Sequence, residues 1–118
     1  MKAQKPRKKR RQNFMFQADR LFSAYIRNRD GRCLNCGTFE RLQCAHVHSR
    51  SYKSIRTDED NAVALCASCH VFYTHRPIEW RLWVEEEFPG RWEALQRKAL
   101  AYERVDWKLE VARLKELV

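Results

Sequence analysis

The chain has 118 residues, 44% of them apolar and 12% aromatic, with a formal net charge of +9. That length supports one domain with a modest core, and that apolar content excludes wholesale disorder. No run of about 18 uncharged apolar residues occurs, which excludes a membrane-spanning helix. No apolar segment follows the N-terminal charges as in a secretory signal, so a cytoplasmic protein is expected. Only three Gly and three Pro are present, too few for a turn-rich all-β fold.

The charge is concentrated. Residues 1–11 (MKAQKPRKKRR) carry seven basic side chains and no acidic one, and the other 17 basic residues face 15 acidic ones. Residues 1–12 are read as a disordered basic arm, with Pro6 and no apolar periodicity, and residues 13–118 as a single domain. The arm is either a solvated tail or a contact for nucleic acid, which it would bind through phosphates without reading sequence.

Ala18, Leu21, Phe22, Tyr25 and Ile26 recur at helical spacing and predict a helix over about 15–28, ended by Asp30-Gly31. Residues 32–48 read as a knuckle and then a β-hairpin, with Arg41–Val47 as its second strand. Residues 49–58 are a polar, basic loop. A short helix is expected from near Cys66. Pro77 opens a further helix that Pro89-Gly90 stops. From Arg91 the chain is helix-forming to its end in two stripes, Trp92, Leu95, Ala99, Tyr102 and then Trp107, Val111, Leu114, Val118, with a break near 104–106. The four Trp are expected in the core. A small β element inside a helical shell predicts an α+β fold.

Four of the five cysteines form two C-x-x-C pairs, Cys33/Cys36 and Cys66/Cys69, with 29 residues between them. Two thiolates two residues apart reach one ion from a tight turn, and two such turns supply the tetrahedral S₄ set that suits structural Zn²⁺. Four sulfur ligands close that ion to water, so any hydrolytic chemistry lies elsewhere. Cys44 is either a spare ligand or, on its strand, a buried small hydrophobe.

Between and just after the pairs lie His46, His48, Asn61 and His70. A neutral imidazole at position 46 can take a proton from water, and His70, beside a zinc ligand, can hold a divalent ion by one ring nitrogen. The plainer alternative is that a His near a zinc site is a structural hydrogen-bonding group. Asn61 is either a fastener of the loop, a partner of His46 or a helix cap, and His48 can equally be an exposed strand residue.

The order C-x-x-C, a strand ending in His46, Ser49-Arg50, Arg56-x-Asp58-x-x-Asn61 and Leu65-Cys66-x-x-Cys69-His70 resembles the HNH endonucleases of the zinc-stapled ββα-metal class. Among them it is most similar to small phage recombination and homing nucleases of the NinG type, from Cys33 to about Trp83. The resemblance implies a ββα-metal core with a four-Cys zinc site, flanked by N-terminal and C-terminal helices. It implies a metal-dependent DNA endonuclease with His46 as general base, Asn61 as the middle Asn of the motif, and His70 as ligand of a catalytic Mg²⁺ or Mn²⁺. Many members carry Asp or His directly before the base as a second ligand; here that position is Ala45. His48 is the candidate replacement, with Asp60 a weaker one. Arg50, Lys53 and Arg56, with Lys8, Lys9, Arg10 and Arg11, are candidate phosphate contacts. The partners expected are DNA and no membrane, with a homodimer or a phage recombination or packaging protein as further candidates. The rivals are a non-catalytic zinc-ribbon module that binds nucleic acid and a protein-interaction adaptor.

Overall fold

The structure is a computed structural model and describes residues 7–118. Five helices surround a two-stranded sheet: α1 (Arg7–Asp30), β1 (Leu42–His46), β2 (Ala62–Cys66), α2 (Ala67–Thr74), α3 (Pro77–Glu87), α4 (Arg91–Leu100) and α5 (Trp107–Leu117). The α+β class, the β-β-α order at the centre and the flanking helices are those expected. The strand pairing is not. β1 pairs antiparallel with β2, Leu42 opposite Cys66 and His46 opposite Ala62, rather than with a strand just before it. The two strands are joined by the long loop 47–61, so this is not a tight hairpin. A five-residue apolar run such as AVALC reads equally as strand or helix, and it is settled here by burial on both faces of β2.

The helix boundaries follow local chemistry. Gly31, at φ +69°, takes the left-handed position past the end of α1, and its N–H bonds the Arg27 carbonyl at 2.9 Å. Pro77 occupies the first turn of α3, where no backbone N–H is needed. The break near 104–106 is real: Asp106 accepts bonds from the amides of Lys108 and Leu109 and so starts α5. At the other end α1 corrects the expected arm. Residues 7–12 are its first turns, because Arg, Lys and Gln are good helix formers that extend a helix already nucleated by packing downstream. The part of the arm before residue 7 lies outside the described residues.

Side chains alternate across the sheet and divide the core. Ala62 and Ala64 face Ala18, Phe22 and Ile26 of α1 and Trp107, Val111 and Leu114 of α5. Val63, Leu65 and Ala45 face the other way, onto Cys33, Tyr73, Trp80, Trp83 and Phe88. A third cluster, Val47, Ile55, Val84, Leu95 and Ala99, pins the long loop to α3 and α4. Each fully buried large side chain in these clusters is worth roughly 1.5–3 kcal/mol of transfer free energy. Trp107 is buried, and Trp80, Trp83 and Trp92 are half-buried against the core. Tyr102 and Val118, expected in the apolar stripes, are 70% and 58% exposed; both lie where their helices have ended.

The outward edge of β2 is covered. Asp30 accepts from the Ala64 amide at 2.8 Å, and Arg29 donates to the Ala62 carbonyl at 2.9 Å. The Leu34 amide donates to the Ala64 carbonyl at 3.0 Å. The end of α1 and the knuckle thus complete the hydrogen bonds of a strand that would otherwise present an open edge.

Candidate active site and metal centre

The two C-x-x-C turns converge. The sulfur atoms of Cys33, Cys36, Cys66 and Cys69 all lie within 4.8 Å of one another, and among the described residues they are the one group of three or more His, Cys, Asp or Glu ligand atoms close enough to share an ion. Cys36 and Cys66 sulfurs are 3.7 Å apart; a tetrahedral zinc with Zn–S of about 2.3 Å needs sulfurs about 3.8 Å apart. Each turn aims an amide at sulfur, Cys36 N–H to Cys33 at 3.5 Å and Cys69 N–H to Cys66 at 3.4 Å. The Asn35 amide adds a bond to Cys69 at 3.2 Å. Gly37, at φ +83°, closes the first turn. Burial disfavours the Cys33 thiolate, but the backbone amides of Cys36, Cys66 and Asn35 outweigh it and lower that thiol to about 6. Spacing, convergence of the four sulfurs and sulfur-directed amides together make the cluster compatible with zinc.

Cys44 stands apart from this cluster. It packs with Phe22 and its neighbours on the α1 side of the sheet, and burial pushes its thiol up to about 12. Its role is that of a small hydrophobe.

The loop between the strands is fastened from inside by Asn61, which is fully buried. Its amide nitrogen donates to the carbonyls of His48 at 3.1 Å and Ile55 at 3.0 Å, and its Oδ1 accepts from the His48 amide at 2.9 Å. Of the readings open for Asn61, the loop fastener is the one these bonds support. Next to Ile55, the carbonyl of Arg56 accepts from His46 Nε2 at 3.0 Å. A carbonyl accepts only, so His46 carries its proton on Nε2 and leaves Nδ1 bare. Burial lowers the His46 pKa, so the ring is neutral near pH 7.

His70, on α2, donates from Nδ1 to Gln43 Oε1 on β1 at 2.7 Å. That bond fixes the tautomer and leaves Nε2 without a proton and with its lone pair open, the arrangement of a metal-binding imidazole oriented by a carbonyl. Burial lowers its pKa as well. Gln43 was not singled out by sequence. Only its place two residues before Ala45, on the same face of β1, could have marked it.

The imidazoles do not meet face to face. Strand alternation turns Gln43, Ala45 and with them His70 toward the knuckle, and turns Cys44 and His46 toward α1, where the His46 ring lies 5.7 Å from that of Phe22. His48 lies beyond the strand end. Its Nε2 donates to the Trp92 carbonyl at 2.9 Å and its ring packs on Trp92 at 4.3 Å. Asp60 pairs with Arg91 at 3.6 Å. Neither His48 nor Asp60 touches His70.

One candidate phosphate contact is corrected. Arg56 is 8% exposed and makes a two-pronged ion pair with Asp19 of α1, Nε to Oδ1 at 2.7 Å and Nη2 to Oδ2 at 2.6 Å. A guanidinium held in this way is not free for DNA. The sequence could not show it, because the partner lies 37 positions earlier. Arg50 and Lys53 are exposed on the loop, as are Lys8, Lys9, Arg10 and Arg11 on α1.

Against this geometry, comparison with known proteins is specific on one point. Residues 33–76 match the model of the HNH endonuclease family. That segment is similar to an HNH endonuclease domain. The match begins at the first knuckle cysteine and ends just past α2, and so contains the sulfur cluster, both strands, His46, Asn61 and His70. Helices α1, α3, α4 and α5 lie outside it. No curated protein and no solved structure matches the chain.

Proposed function

We propose that the HNH domain makes this chain a metal-dependent DNA endonuclease, with His46 as general base and His70 as a ligand of the catalytic ion. The observation that carries the reading is the state of the two rings inside the matched segment. Each is neutral, each has one nitrogen anchored by a carbonyl-type oxygen, and each has the other nitrogen bare. His46 Nδ1 is the base nitrogen that takes a proton from the attacking water.

His70 fits a divalent ion through Nε2 but supplies one ligand only, and Ala45 adds none. Phosphate oxygens and water would have to complete the shell, because His48 is held against Trp92 and does not share the site of His70. When bound, a Mg²⁺ or Mn²⁺ ion would neutralise charge on the phosphate and the leaving oxygen. Asn61 holds the loop that carries the Arg56 carbonyl, and that carbonyl holds the base. Arg50 and Lys53 position the backbone on the same loop, with Lys8, Lys9, Arg10 and Arg11 as a second contact. The sulfur cluster holds a structural zinc and takes no part in the chemistry.

The test is nicking of supercoiled plasmid by the purified protein with Mg²⁺ or Mn²⁺. The wild type is expected to nick, and His46→Ala to do so about 10²–10⁴-fold more slowly. Equal rates would remove His46 from the mechanism. A second reading, a non-catalytic module that binds nucleic acid, is favoured by Ala45 and by the lack of a second ligand cluster among the described residues. It predicts salt-dependent binding and no cleavage with either ion.

A further inference from the structure

The buried ion pair between α1 and the loop is used by none of the steps above. Arg56 is fixed at every end. Its Nε and Nη2 grip the Asp19 carboxylate, its Nη1 donates to the Arg50 carbonyl at 3.3 Å, and its own carbonyl receives His46 Nε2. Side chains at both ends of the pair are mostly withdrawn from solvent, 9% exposed for Arg56 and 19% for Asp19. Phe22 lies one helical turn after Asp19 on α1, and its ring packs beside that of His46. One face of α1 therefore presents a carboxylate and a phenyl ring, three residues apart, to the two sides of the same imidazole assembly.

We propose that Asp19, acting through Arg56, is the positioning residue for His46: it clamps the residue whose carbonyl sets the ring's tautomer and direction. A plain anchoring role for the pair would need no particular relation to His46. Here the clamped residue is the one that bonds the ring. A bidentate guanidinium–carboxylate pair fixes direction as well as distance, so restraint of the Arg56 side chain is passed to the peptide group beside it. Asp19 lies outside the residues matched to the HNH model. α1 would thus complete a site that the matched segment does not build alone.

The experiment compares Asp19→Asn and Arg56→Lys with the wild type. Asn keeps the shape of Asp but opposes one N–H to another; Lys keeps the charge but cannot make two parallel bonds. Nitrogen-15 spectra of the His46 ring, assigned with His46→Gln, are the direct readout. Wild type is expected as the single Nε2–H tautomer, and both variants as mixtures of tautomers. The nuclease arm rests on the endonuclease reading: kcat is expected to fall about 10–100-fold, the scale on which misplacement of a catalytic group acts, with KM for DNA unchanged. Zinc content and melting temperature identify a variant that fails to fold, and the other variant then carries the test. A folded variant that keeps the single wild-type tautomer overturns the proposal. If the wild type cuts no DNA with either ion, the endonuclease reading fails alone, and the ring spectra still decide the role of Asp19.

Discussion

Both amide hydrogens of Asn61 and its Oδ1 are committed to backbone groups of His48 and Ile55, at a position with no solvent access. Asn61→Ala would leave the His48 carbonyl and amide without partners in a buried site, while the Ile55 carbonyl would keep only its bond from the Asp58 amide at 3.1 Å. At about 1–3 kcal/mol per orphaned group, the expected cost is on the order of 3 kcal/mol or more, read as a fall of about 10 °C in melting temperature. His46 gives a second expectation at this scale. Burial, the largest influence, holds its pKa below the ordinary 6.5, as do the charges of Arg50 and Arg56, while the Arg56 hydrogen bond and the Asp19 charge oppose the shift. In the unfolded chain the ring protonates as pH falls through about 6.5; in the folded chain it resists. The favourable contribution is therefore intact above 6.5 and is lost as pH falls below it toward the folded pKa. Melting temperature is expected to drop on acidification in that window, and His46→Gln to flatten part of the drop, with His70 responsible for another part.

At the scale of elements, the sheet is short and the four-sulfur cluster is placed to fasten it. Two five-residue strands cannot stand alone in water, and the sulfur cluster joins the knuckle before β1 to the turn that links β2 to α2. Binding free energy of such an ion is folding free energy. Removal of metal by a strong chelator is expected to unfold the sheet and α2 together, with loss of far-UV signal and recovery on adding Zn²⁺. Much of this level was legible in the chain. The paired cysteines announced the sulfur cluster, because ligand spacing is a local property. Pro77, Asp106 and Gly31 announced helix ends for the same reason. The pairing of β1 with β2 was not legible, since a partner on the far side of a long loop leaves no local trace and AVALC has no telling period. Arg56 was misread as a phosphate contact because burial of a guanidinium is decided by the distant Asp19. The first turns of α1 were misread because a basic run says nothing about backbone conformation once a helix is already growing.

Across the whole molecule, exposed charge is the feature the proposed function assigns to DNA. Lys8, Lys9, Arg10 and Arg11 cover successive faces of the start of α1, and the longest dimension of the molecule is 54 Å. Consecutive helical positions point in different directions, so these four side chains suit phosphates met from several sides rather than one set of base edges. Replacing all four by Gln is expected to weaken binding to duplexes of unrelated sequence alike. The slope of log K against log salt should become shallower by about 0.9 for each phosphate no longer neutralised, measured by fluorescence anisotropy across a salt series. Weakening confined to one sequence would contradict a backbone role.

The acidic run Asp58-Glu59-Asp60 precedes Asn61, on the loop that carries the proposed base. Each of its carboxylates is matched by a cation from a C-terminal helix: Lys98 at 3.1 Å, Arg113 at 3.3 Å and Arg91 at 3.6 Å. Such surface pairs add little to stability, yet they cancel a cluster of like charge that would otherwise repel an approaching polyanion. α4 and α5 thereby shape the electrostatic landscape around the loop of the proposed site, and truncating them would leave three uncompensated carboxylates beside it.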